Sequence, residues 1–125
     1  MMAKTVLMMA SIGGALAVAF GAFGAHALSA RLDEKALHTW QTAVEYQFYH
    51  VLALMLVGVM KDQDKAGRLV SASAPLFAVG MVLFCGSLYG LALGGPSWLG
   101  PITPLGGLCF IAAWLCLAAA FFKRP

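Results

Sequence analysis

The distribution of charge constrains this chain more than any motif does. No Asp, Glu, Lys or Arg occurs between Lys4 and Arg31, and none occurs between Arg68 and Lys123. A bilayer core of about 30 Å takes about 20 apolar residues per crossing helix. The first gap therefore holds one crossing and the second holds two. The stretch from Ala36 to Met60 supplies a fourth, interrupted only by Glu45 and its polar neighbours. Hydrophobic residues fill 62% of the 125 positions and charged residues 10%. Soluble domains carry about 25% charged residues, so hydropathy disfavours a water-soluble bundle. The expected fold is all-α: one domain, residues 1–125, forming an integral membrane bundle of four transmembrane helices.

The spans are expected at about residues 5–27, 36–60, 70–93 and 105–122. In the first, Ala10, Gly13, Gly14, Ala17, Gly21 and Gly24 recur at three- and four-residue steps. They gather on one stripe that lets a neighbouring backbone approach closely. Lys4, the apolar run and Ala25-His26-Ala27 also resemble a secretion signal. The run is closer to twenty residues than to the 7–15 of a signal core, so it is read as a retained span. Asp33 or Ser29 suits the cap of the second helix, with Glu34 in its first turn. Ser71 or Ser73 suits the cap of the third, with Pro75 in a first turn. Gly86, Gly90 and Gly94 form overlapping GxxxG steps, again a packing signal. The linker of residues 94–107, GGPSWLGPITPLGG, has three prolines and no charge, and is expected to lie on or dip into the membrane.

Basic residues set the expected orientation. With four crossings, Lys4, Lys61, Lys65, Arg68, Lys123 and Arg124 share one side, and only Arg31 and Lys35 lie on the other. Six against two places both termini in the cytoplasm, with the chain in the cell inner (cytoplasmic) membrane; in an organelle the equivalent side would be the matrix. The net charge of +3 is too small to suggest nucleic-acid binding. Three cysteines, Cys85, Cys109 and Cys116, fall inside the spans with no CxxC, and suit apolar packing better than a disulfide framework.

The second span carries the polar residues. If its last twenty residues cross the core, Glu45 lies about 6 Å below the outer boundary and His50 about 8 Å deeper. His26, Ser87, Tyr89 and Thr103 fall near the same level on other segments. At about 100° per residue, His38, Thr42 and Tyr49 share the Glu45 face, and Tyr46 and His50 follow. Trp40, Val44, Phe48, Val51 and Met55 lie opposite. An unsatisfied carboxyl is costly in hydrocarbon, so the Glu45 arc is expected to face the bundle and the opposite sector to face lipid. Gln47 falls outside the arc and is expected to snorkel or bond locally. His26 lies opposite the glycine stripe, so either both faces of the first span contact protein or the helix unwinds around Gly24.

GAFGAHAL (21–28), TAVEYQFYH (42–50), GSLY (86–89) and PITPLGG (101–107) are together similar to the blocks of the YgdD-like family of small membrane proteins, also termed domain of unknown function 423, which has eukaryotic relatives. The resemblance runs through nearly the whole chain. It implies an integral membrane protein of several helices, and it brings no activity or catalytic residue with it.

Three functional readings follow. The leading one is a non-enzymatic accessory, scaffold or lipid-interacting protein with a polar cluster of His26, Glu45, Tyr46, Tyr49, His50, Ser87 and Tyr89. Its helices pack through Gly13, Gly21, Gly24, Gly86, Gly90 and Gly94. Membrane lipid, a membrane-protein partner or further copies of the chain are the expected contacts. The second is a small oligomeric proton-linked carrier using Glu45, His50 and Tyr49. The third is an outer-leaflet enzyme, metal-assisted through His26, Glu45 and His50. No cofactor motif is present: the glycines lack GxGxxG and GxxxxGK[ST] order, and no HxxxH or ExxH pair exists. His38 and His50 stand about 18 Å apart along one helix and cannot share an ion.

Overall fold

A computed structural model describes residues 1–125 and is helical throughout. Four helices are long and apolar enough to cross a membrane. They are α1 (Ala3–Leu28), α2 (Glu34–Asp62), α3 (Arg68–Ala92) and α4 (Ile102–Phe122). Successive helices are antiparallel, and four crossings return the chain to its starting side. The Asp33 carboxylate caps α2 by accepting from the Ala36 amide at 2.8 Å. Neither serine caps α3. Gly67 takes the cap position, Ser71 accepts from Lys61 Nζ at 3.2 Å, and Pro75 sits inside the helix. The turn before α4 uses Gly94 at φ 86°, a left-handed conformation in which glycine has no steric penalty. A single 3₁₀ turn, Ser97–Leu99, follows. The PITPLGG segment is then largely helix, because α4 starts at Ile102 and not after the glycines.

The helices form two hairpins, α1–α2 and α3–α4, joined by packing of α2 on α3. Helices α1 and α4 have no extended contact, so α2 is the shared wall. Its inner face is continuous: Trp40, Ala43, Gln47, His50, Val51, Leu54 and Val57 are all buried. A long core runs from Val6 and Val57 through Phe77 to Phe110 and Leu117. A second, smaller core of Leu28, Trp40 and Ala92 closes the other end, under Phe20 and Tyr89.

Glycine decides where backbones meet. A Cβ on Gly13 would lie 2.9 Å from Val51, on Gly24 2.6 Å from the Trp40 indole, and on Gly21 3.4 Å from Val44. Those three pack α1 on α2 as expected. Gly90 closes on Leu99 in the turn beyond α3, within its own hairpin. Gly86 and Gly94 pack nothing: a Cβ on either meets open space. The closest crossing is between α3 and α4, where Gly80 lies under Phe110 and Gly106 lies against the Phe84 backbone. Gly58, under Leu7, serves α1 in the same way.

Two π-turns interrupt the helices, at Gly24–Leu28 and Met81–Cys85. Near the first, the Phe20 carbonyl accepts from Trp40 Nε1 at 2.9 Å. The first span therefore does change its winding at Gly24, and His26 stays exposed beyond it.

Candidate functional site

The polar residues of the interior form staples between helices. Gln47 is 8% exposed and holds three of them together. Its Nε2 donates to the Gly13 carbonyl on α1 at 2.8 Å. Its Oε1 accepts from the Tyr89 hydroxyl on α3 at 2.6 Å. A carbonyl only accepts, so the amide has one orientation and Tyr89 must be the donor. Gly13 permits the approach because it has no side chain. Tyr89 in turn stacks edgewise on Phe20 and lies 4.7 Å from the Trp40 ring, which links the staple to the smaller core.

His50 is a second staple. Trp114 Nε1 on α4 donates to His50 Nε2 at 3.1 Å, and His50 Nδ1 lies 2.7 Å from the Tyr46 carbonyl one turn back. An indole N–H cannot accept, so Nε2 is unprotonated and Nδ1 carries the hydrogen it gives to Tyr46. The imidazole is thereby the neutral Nδ1–H tautomer, with both nitrogens engaged. Phe110 stacks on it at 3.6 Å between ring centroids and 7° between planes. Phe77 and Tyr46 complete an aromatic enclosure. A third staple joins α3 to α4 through the Ser87 and Thr103 hydroxyls. No buried side-chain nitrogen or oxygen lacks a hydrogen-bond partner.

Beside the Gln47 staple runs a groove of about 420 Å³ between α1 and α3, floored by α2. Met9, Gly13 and Leu16 form one wall, and Ala78, Met81, Val82 and Gly86 the other. Gln47 and Tyr89 are its polar lining, and their side chains are spent on each other and on Gly13. The groove exists because α1 packs along α2 and meets α3 only near Phe20 and Tyr89, and because Gly86 projects nothing into it.

The seven residues of the expected cluster are not gathered into one site. His50, Ser87 and Tyr89 are staple residues. Tyr46 rests half-exposed against Phe84. His26, Glu45 and Tyr49 are exposed. The assignment of faces on α2 is thus overturned in part: Trp40 and Val51, expected outside, are 5% and 3% exposed, and Tyr49, expected inside, is 55% exposed, whereas Phe48 does face outward and His50 inward. Gln47, expected to bond locally or snorkel, is the residue that holds three helices. Its signal was present in the sequence, as an amide four residues before Val51 on the face with Trp40 and Leu54. Lipid-facing and protein-facing surfaces are equally apolar in a membrane chain, so hydropathy alone could not choose that face. No three His, Cys, Asp or Glu side chains converge in metal-ligand geometry, and His26, Glu45 and His50 do not share a face.

Four long apolar helices, large apolar side chains on the outside and hydrogen-bonded staples on the inside define a multi-pass α-helical membrane protein. The chain belongs to the family described as "Protein of unknown function (DUF423)", which matches residues 20–107. It is 41% identical to "UPF0382 membrane protein YwdK" of Bacillus subtilis over 96% of this chain and 98% of that protein. It is 42% identical to "UPF0382 membrane protein SH2409" of Staphylococcus haemolyticus over 96% and 97%. A "UPF0382 membrane protein" of Haemophilus influenzae is 38% identical over 98% and 97%. No solved structure matches. The family resemblance read from the four sequence blocks is therefore correct.

Proposed function

We propose that this protein is a non-enzymatic, lipid-interacting accessory of the cytoplasmic membrane, and that the groove between α1 and α3 takes a lipid acyl chain. The observation that carries this reading is the complete internal satisfaction of the buried polar groups. A catalyst or a carrier presents polar atoms to its substrate. Here Gln47, Tyr89, His50, Ser87 and Thr103 present theirs to one another. What remains for an occupant is an apolar trough, and its surroundings in a bilayer are acyl chains. The carrier and enzyme readings gain less support, because Glu45 and Tyr49 point away from His50 across α2.

Gly86 provides the test. A Cβ there meets nothing within 4 Å and Gly86 lines the trough, so Gly86→Leu projects its side chain into that space. Native mass spectrometry after gentle detergent extraction should find lipid retained on the wild-type chain. The Gly86→Leu chain should lose at least half of it at an unchanged melting temperature. Equal lipid retention by both chains would reject the assignment of the groove.

A further inference from the structure

The outward face of α2 carries a polar pair that nothing in the chain satisfies. Taking Glu45 as 0° and about 100° per residue, the packed sector of α2 runs from roughly 80° to 260°. The bare sector, about 120° wide, is centred on Glu45. It holds His38, Thr42, Glu45, Tyr49, Leu52, Leu56 and Val59, at alternating steps of four and three residues. Tyr49 is 55% exposed, Leu52 58%, Leu56 54% and Val59 38%. Glu45 is exposed as well. The side-chain hydrogen bonds of α2 run through Thr39, Trp40, Thr42, Gln47, His50 and Lys61, and none uses the Glu45 carboxyl or the Tyr49 hydroxyl. Water does not supply the missing partners at hydrocarbon depth, and polar groups in spans are normally turned to protein for that reason.

We infer that this face of α2 is the contact between two copies of the chain, with Glu45 of each copy accepting from Tyr49 of the other. Self-complementarity argues for a second copy. One stripe holds an acceptor and a donor one turn apart, and a two-fold contact pairs residue i with j and j with i. Copies inserted in the same orientation are related by an axis along the membrane normal, so residues at one depth meet. Helical side chains lean toward the helix N-terminus. Both side chains lean that way, and the longer Tyr49 side chain reaches further back, which narrows its offset from the Glu45 carboxyl of the other copy. The steps of four and three give the seam of a left-handed coiled coil, with Leu52, Leu56 and Val59 as its apolar layers. A polar layer in such a seam fixes its register. A lipid amine fits less well: with the last twenty residues of α2 crossing the core, Glu45 lies about 6 Å inside the hydrocarbon boundary, whereas the ammonium of a phospholipid headgroup lies outside it.

The test uses the full-length chain in liposomes. Oxidative cross-linking should convert Leu56→Cys to a disulfide-linked pair. Val18→Cys, on the exposed face of α1, and the wild-type chain with its own three cysteines should stay at background. Energy transfer between labelled copies, followed on dilution into lipid, should give a dissociation constant raised about tenfold by Tyr49→Phe and by Glu45→Ala. Glu45→Gln keeps an acceptor and should stay within about threefold of wild type. Both positions are exposed, so the circular dichroism and melting temperature of the monomer should not move. Three results would each overturn the inference: a wild-type chain that is monomeric at every dilution, cross-linking through Val18→Cys at the Leu56→Cys level, or association that ignores Glu45 and Tyr49. Cross-linking in native membranes only to a protein of different mass would also reject a second copy as the occupant.

Discussion

At the scale of single residues, Gln47 explains why a hydrophobic helix tolerates polar insertions. An amide in the core of a membrane bundle is stable only if both ends are bonded, and here α1 and α3 each supply a partner. Such interhelical bonds are worth about 0.6 kcal/mol on average in membrane proteins and up to about 1.7 kcal/mol. Tyr89→Phe removes the donor and leaves Gln47 Oε1 unpaired. It should destabilise the folded chain by about 1 kcal/mol. In a double-mutant cycle of Tyr89→Phe with Gln47→Leu, the double variant should lose less than the sum of the two, with a coupling of about 0.5–1.5 kcal/mol. Reversible unfolding in mixed detergent measures each corner. Additive losses would mean that the 2.6 Å contact contributes nothing to stability. His50 follows the same logic, because its neutral ring is held at both nitrogens by a carbonyl of its own helix and the indole of α4.

At the scale of elements, small residues decide which helices are neighbours. Hydrocarbon surrounds the helices on every side, so burial of apolar surface does not favour one pairing over another, and close van der Waals contact does. The α3–α4 crossing is the clearest case. A Cβ on Gly106 runs into the backbone of Phe84, which has no freedom to yield, whereas one on Gly107 lies 3.9 Å from the Phe84 ring. Gly106→Ala should therefore cost about 1–3 kcal/mol and Gly107→Ala under about 0.5 kcal/mol, as read by melting temperature in detergent. Comparable losses for the two would place the crossing elsewhere. GxxxG spacing was a poor guide here. Gly86 and Gly94 fit the spacing and pack nothing, while Gly80 and Gly106 pack tightly and belong to no shared spacing. The π-turn at Gly24–Leu28 is equally invisible in spacing, because the Trp40 indole that bonds near it comes from another helix.

At the scale of the whole molecule, four antiparallel crossings put both termini on one side, and the expectation from the basic residues, which thiol labelling checks, is that this side is cytoplasmic. Lys4, the 61–68 loop and Lys123-Arg124 gather there, and Arg124 donates to the Lys65 carbonyl at 2.9 Å across the two hairpins. Cysteine placed at Gln63 should be shielded from an impermeant thiol reagent in intact cells and labelled after lysis, and cysteine at Ser29 should be labelled in both. The reverse pattern would invert the orientation. The groove and the bare face of α2 are also properties of this scale. The groove arises because α1 and α3 stand apart over α2, and the bare face because α2 is packed over only part of its circumference.

The sequence by itself determined the number of crossings, because charge is excluded from hydrocarbon wherever it occurs along the chain, and its four blocks determined the family. For the cap of α2 it offered Asp33 or Ser29, and the structure chose Asp33. Only the tertiary structure decided which way each crossing faces. Glu45 looked like an interior residue by cost, and Gln47 like a peripheral one by phase. The inward turn of Gln47 depends on Gly13 and Tyr89, which lie 34 and 42 residues from it in the chain, and it leaves Glu45 on the outer face. Lipid makes the two faces of α2 equivalent to hydropathy, so the choice falls to close packing and to hydrogen-bond partners on other helices, and neither is written in local sequence.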